Sequence, residues 1–124
     1  MKTGQQLVKE VLPQITEVTV EQLKAAQNDE NTLIIDVREP QEFQESHIDG
    51  AVLMPRGVLE MKIHTHPAVS HLNEPSDALN ELAKRNLYLI CRTGGRSALA
   101  AHSLQQMGFT NVYSVKGGMT AWQD

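Results

Sequence analysis

The segment Leu87-Tyr88-Leu89-Ile90-Cys91-Arg92-Thr93-Gly94-Gly95-Arg96-Ser97 contains the only cysteine of the chain and decides how the rest is read. Its first four residues form an apolar run of the kind buried in a central parallel strand. From Ser97 to Met107 the pattern is helical. Ala100, Leu104 and Met107 share one face, and Gly108 supplies the stop. A cysteine at the end of a strand, a glycine-rich turn and a helix opening at Ser97 make an anion cradle. Unpaired N–H groups and the positive end of the helix dipole face the sulfur and favour a thiolate. Gly94 and Gly95 let the backbone curl, and Arg92 and Arg96 add positive charge. A plain strand-to-helix turn requires neither the cysteine nor two flanking arginines.

Outward from this loop, strand-like and helix-like stretches alternate, as in an α/β domain. Thr32 to Val37 is a second buried strand and Asn111 to Val115 a third, with an extended entry at Glu17 to Thr19. Helices are expected at Val20 to Gln27 and at Asp77 to Arg85, the latter behind a Ser76 cap. Residues 1–16 read as a helical N-terminal extension and 17–124 as one domain. The net charge of −4 lacks the basic excess of a phosphate-backbone binder, so no nucleic-acid partner is expected. No apolar run reaches membrane-spanning length, and the first fifteen residues lack a signal peptide's apolar core, so the expected location is the cytoplasm. His64, His66 and His71 have no cysteine or carboxylate at metal-ligand spacing, and no metal is expected.

Three stretches, in order, resemble the rhodanese (thiosulfate sulfurtransferase) family. They are Asp36-Val37-Arg38 with the later His47-Ile48-Asp49-Gly50-Ala51, the loop Cys91 to Arg96 followed by Ser97, and Gly117-Gly118 with Trp122. The resemblance implies a three-layer α/β fold with a mostly parallel sheet of roughly five strands and helices on both faces. It also implies a sulfurtransferase carrying sulfur as a persulfide on Cys91, with no cofactor. The donor would be thiosulfate or a similar small anion, and the acceptor cyanide, a thiol or a protein. Arg92 and Arg96 are the expected anion-binding side chains, and backbone N–H groups from Thr93 to Ser97, through Gly94 and Gly95, are expected to hold the persulfide charge. Asp36 and Arg38 are expected to pair and buttress the loop. His47 is expected to bond to backbone and Trp122 to pack in the core.

Two rivals remain at this stage. A phosphatase or arsenate reductase would use the same thiolate, but four residues separate Cys91 from Arg96, one fewer than in tyrosine-phosphatase-like loops. A tighter ring suits one sulfur atom better than a tetrahedral oxyanion. The other rival is a sulfur carrier loaded by a partner protein. Finally, Arg56 to Glu74 runs longer than the family pattern. It is expected to overhang the Cys91 loop and set acceptor choice, with Arg56 adding to the positive field.

Overall fold

A computed structural model describes residues 1–124. Helix α1 (Gly4–Val11) leads through a 3-10 turn at Leu12–Gln14 into strand β1 (Thr16–Val18) and helix α2 (Val20–Ala26). Strand β2 (Thr32–Asp36), helix α3 (Pro40–Glu45), strand β3 (Val52–Leu53) and helices α4 (Leu59–Lys62) and α5 (Pro75–Leu82) follow. Strand β4 (Asn86–Ile90), helix α6 (Gly95–Met107), strand β5 (Val112–Val115) and helix α7 (Gly118–Trp122) complete the chain.

All five strands are parallel, in the order β1-β5-β4-β2-β3. The sheet is therefore wholly parallel and matches the expected α/β architecture. Successive residues of the central strands alternate between two apolar layers. Ile35, Leu87 and Leu89 join Leu59, Ile63, Leu82 and Leu104 on one face. Ile34 and Ile90 join Leu23, Val115 and Met119 on the other. With helices covering both faces, β2 and β4 need no polar side, which is why each reads as a continuous apolar run.

The register Asp36↔Ile90 brings the C-terminal ends of β2 and β4 to one sheet edge, so the Asp36 and Cys91 segments emerge side by side. Val37 N–H continues the pairing by donating to Ile90 O.

Two helices start earlier than expected, and the first of them, α5, also ends earlier, at Leu82 rather than Arg85. Helix α5 begins at Pro75, with Glu74 at the N-cap and no side-chain cap bond, so Ser76 is not the cap. Proline has the fixed φ and the missing N–H that suit a first helical position. Helix α6 begins at Gly95, two residues before Ser97, because Gly94 takes a left-handed φ of 108° and turns the chain at once.

No residue of the segment Arg56 to Glu74, expected to overhang the Cys91 loop, lines the cleft that reaches Cys91. The segment folds as short helical turns whose Leu59, Ile63 and Val69 are fully buried in the first apolar layer. Arg56 is engaged by Glu60 at 3.0 Å and by the Ser103 hydroxyl of α6 at 2.9 Å, so its charge serves packing between α4 and α6.

Candidate active site

Cys91 leaves β4 with its side chain turned inward, and the residue is only 1% exposed. Such burial alone would fit an inert hydrophobe. The polar groups around the sulfur do not. Gly94 N–H donates to Sγ at 3.1 Å and Ser97 N–H at 3.4 Å, and Ser97 Oγ lies 3.4 Å away. Two backbone donors converging on one sulfur are an arrangement a thiolate or persulfide anion uses. Of the amides from Thr93 to Ser97, those of Gly94 and Ser97 meet Sγ. Ser97 Oγ is in turn fixed, 2.8 Å from Ser114 Oγ and 3.2 Å from Gly94 O, all buried beneath the loop. Ser114 sits on β5 and belongs to no motif, so no local pattern singles it out.

The loop is held from behind by the turn entering α7. Met119 N–H donates to Cys91 O at 2.8 Å and Thr120 N–H to Arg92 O at 3.0 Å. Gly118, at φ 53°, presses so closely that a Cβ there would stand 2.3 Å from Cys91 O and 2.6 Å from Arg92 O. Only glycine fits. The Gly117-Gly118 pair, part of the third stretch of the resemblance, is thus the backrest of the cysteine loop.

Asp36 and Arg38 pair as expected. Asp36 Oδ1 accepts from the Arg38 backbone N–H (3.0 Å) and Nε (2.9 Å), and Oδ2 accepts from Nη2 (2.8 Å). Arg38 also donates to Ser46 O at 2.7 Å, tying the end of β2 to the end of α3. Both side chains are almost wholly buried, so each charge depends on the other.

The two arginines of the loop sit differently from the expectation of free cationic arms. Arg96 is clasped end-on by Glu42, with Nη1 2.8 Å from Oε1 and Nη2 3.0 Å from Oε2. Arg92 is largely exposed, with its Nε 3.5 Å from the same carboxylate. The Arg96 hydrogen bonds hold the Glu42 carboxyl at about 2, far below its ordinary value. Arg92 lines a polar cleft with Arg38 and Ser46, away from the sulfur. Arg96, with Thr93 and Gly95, lines the separate cleft of about 380 Å³ that reaches Cys91.

His47 stacks on Phe43 at 3.7 Å, and its Nδ1 lies 2.8 Å from Phe43 O, the backbone bond expected. Trp122 is half-buried against the second apolar layer, 5.1 Å beneath the Lys24 ammonium. His66 is buried and caps a turn by accepting from Ala68 N–H at 3.0 Å. No helix is long and apolar enough to cross a membrane.

Several known proteins are similar to this chain. A protein from Bacillus subtilis named "Putative sulfur carrier protein YrkF" is 32% identical over 123 residues, 98% of this chain, and the chain spans 58% of its length. Thiosulfate sulfurtransferase 16, chloroplastic, from Arabidopsis thaliana is 31% identical over 93 residues, 71% of each chain. Among solved structures, RPA3614 from Rhodopseudomonas palustris, described as a "Possible Tyrosine Phosphatase", superimposes with a TM-score of 0.80 at 26% identity. It covers all of this chain and 91% of its own. The rhodanese-like domain model matches residues 19–124, which hold strands β2 to β5 together with the Cys91 loop and its backrest, and the chain belongs to that family.

Proposed function

We propose that the protein is a sulfurtransferase in which Cys91 carries the transferred sulfur as a persulfide. The observation that carries this reading is the convergence of the Gly94 and Ser97 N–H groups on Cys91 Sγ at the end of a parallel strand. In the first step the Cys91 thiolate attacks the outer sulfur of a donor such as thiosulfate. The donor's S–S bond breaks and sulfite leaves with its electron pair. The loop amides then hold the charge of the new persulfide. In the second step cyanide or a thiolate attacks the outer sulfur, and the electron pair of the broken bond returns to Cys91.

Neither step calls for a cofactor or metal. Thr93, Gly94, Gly95 and Ser97 shape the cradle, and Arg96 borders the donor's path. Asp36 and Arg38 stiffen the neighbouring strand end. The four-residue spacing between Cys91 and Arg96 argues against a phosphatase or arsenate reductase, because the ring is short for a tetrahedral oxyanion.

Initial-rate kinetics with thiosulfate and cyanide, read as thiocyanate formed, test the reading. Parallel double-reciprocal lines support the two-step transfer, whereas intersecting lines contradict it. A second reading, a sulfur carrier, is favoured by one observation: Glu42 occupies the arginine nearest the cleft, leaving little free positive charge for an inorganic donor. Loading by a cysteine desulfurase together with failure to turn over thiosulfate would select the carrier.

A further inference from the structure

Helix α1 precedes the segment that matches the family, residues 19–124, yet it forms one wall of the Cys91 cleft. Gly4, Gln5 and Val8 face the opening across from Thr93, Gly95 and Leu99. Val8 Cγ2 would lie 3.7 Å from a Cβ placed on Gly95, so this side chain rests on the first turn of α6, directly beside the loop that holds the sulfur.

The wall is capped at its start and anchored at its end. At the start, Thr3 and Gln6 form a reciprocal capping box, with Gln6 N–H donating to Thr3 Oγ1 at 3.1 Å and Thr3 N–H to Gln6 Oε1 at 2.7 Å. At the end, Val11 is buried and the following turn runs into β1, which pairs with β5.

The chemistry of the cleft is close to neutral. Apart from Cys91 itself, its one charged group, Arg96, is engaged by Glu42, and the rest of the lining is aliphatic, glycine backbone, one amide and one hydroxyl. A small inorganic anion gains little from such a wall. An uncharged organic group beside a reacting thiol gains apolar contact and leaves no buried charge unpaired.

We propose that α1 selects the sulfur acceptor, that the acceptor is an organic thiol with neutral flanking groups, and that Val8 sets the bulk permitted next to its sulfur. This rests on the persulfide reading of Cys91. The acceptor thiolate attacks the outer persulfide sulfur, the S–S bond breaks with its electron pair returning to Cys91, and the acceptor departs as a persulfide. No outside oxidant or reductant enters the balance.

The test starts from protein loaded with sulfur on Cys91 and confirmed by mass. It follows second-order discharge to cyanide, to 2-mercaptoethanol and to a short cysteine peptide with uncharged neighbours. Val8→Ala should raise the peptide-to-cyanide rate ratio and Val8→Phe should lower it, each by about ten-fold, the scale of one or two methylenes in a substrate pocket. Leu7→Ala, on the solvent side of α1, should leave the ratio where it was.

A parallel change in the 2-mercaptoethanol ratio assigns the cleft to small thiols, and a change confined to the peptide assigns it to protein-borne cysteine. Unchanged ratios in Val8 variants with native circular dichroism overturn the proposal while the persulfide reading stands. So does a wild-type protein that discharges only to cyanide. Should the Val8 variants not fold, Gln5→Trp on the exposed side of the same wall must lower the peptide ratio, or the proposal fails. If no donor loads Cys91 at all, the proposed function fails and this inference with it.

Discussion

Glu42 and Arg96 meet end-on across the mouth of the cysteine loop, both terminal nitrogens of the guanidinium on both oxygens of the carboxylate. The pair joins α3 to the start of α6 over 54 residues of sequence and removes most of the free charge from the arginine that lines the Cys91 cleft. Releasing Arg96 should therefore improve capture of an anionic donor. In Glu42→Gln the KM for thiosulfate should fall several-fold, measured by initial rates at low ionic strength. An unchanged or higher KM would mean that Arg96 serves the loop's shape and not donor binding.

The same pair has a defined pH signature. The Glu42 carboxyl titrates at about 2 in the folded protein against an ordinary 4.5, so the folded state favours its charged form. Its contribution to stability is fully present above pH 4.5 and is lost as pH falls from there toward about 2. The difference in unfolding free energy between wild type and Glu42→Gln should be constant near neutrality and shrink below pH 4.5. Denaturant unfolding of both proteins at several pH values measures this, and a difference that grows on acidification would contradict the assignment.

The buried Asp36–Arg38 pair should respond more severely to disruption. Asp36→Asn leaves an almost wholly buried guanidinium without its counter-charge. The expected cost is about 3–5 kcal/mol, the range for breaking a buried ion pair from one side. Denaturant midpoints report it, and a loss below about 1 kcal/mol, as for a surface pair, would place the pair in contact with water.

Gly118→Ala should destabilise the protein and disturb the loop, because the added Cβ meets Cys91 O and Arg92 O as well as adopting a left-handed φ. Gly50→Ala provides the control: its φ is 84° but nothing lies within 4 Å of the added atom. The strain of positive φ alone costs roughly 1 kcal/mol, so Gly118→Ala should exceed Gly50→Ala in denaturant unfolding and should slow sulfur loading. Equal effects would show that the close approach behind the cysteine is easily relieved.

How much was legible in the sequence follows from the range of the contacts involved. The strands at Thr32 and Leu87 and the helix ending at Gly108 were readable, because burial on both faces and a left-handed stop leave local marks. The cysteine loop was readable for the same reason. The fate of 56–74 was not. Its buried Leu59, Ile63 and Val69 are distributed over several short turns, so no single helical or strand period connects them. Glu42, Ser114 and Val8 reach the site from α3, β5 and α1, and no spacing in sequence encodes which distant surface a residue will meet. Arg96 was singled out as a free cation, but the carboxylate that occupies it belongs to another helix.

The central claim, that sulfur travels on Cys91, is tested most directly by intact mass after incubation with thiosulfate, then with cyanide, for wild type and Cys91→Ser. The persulfide mechanism predicts that wild type gains the mass of one sulfur atom and returns to its starting mass on cyanide, while the folded serine variant gains nothing. Sulfur gained by Cys91→Ser, or wild-type turnover with no cyanide-labile sulfur on Cys91, would contradict it.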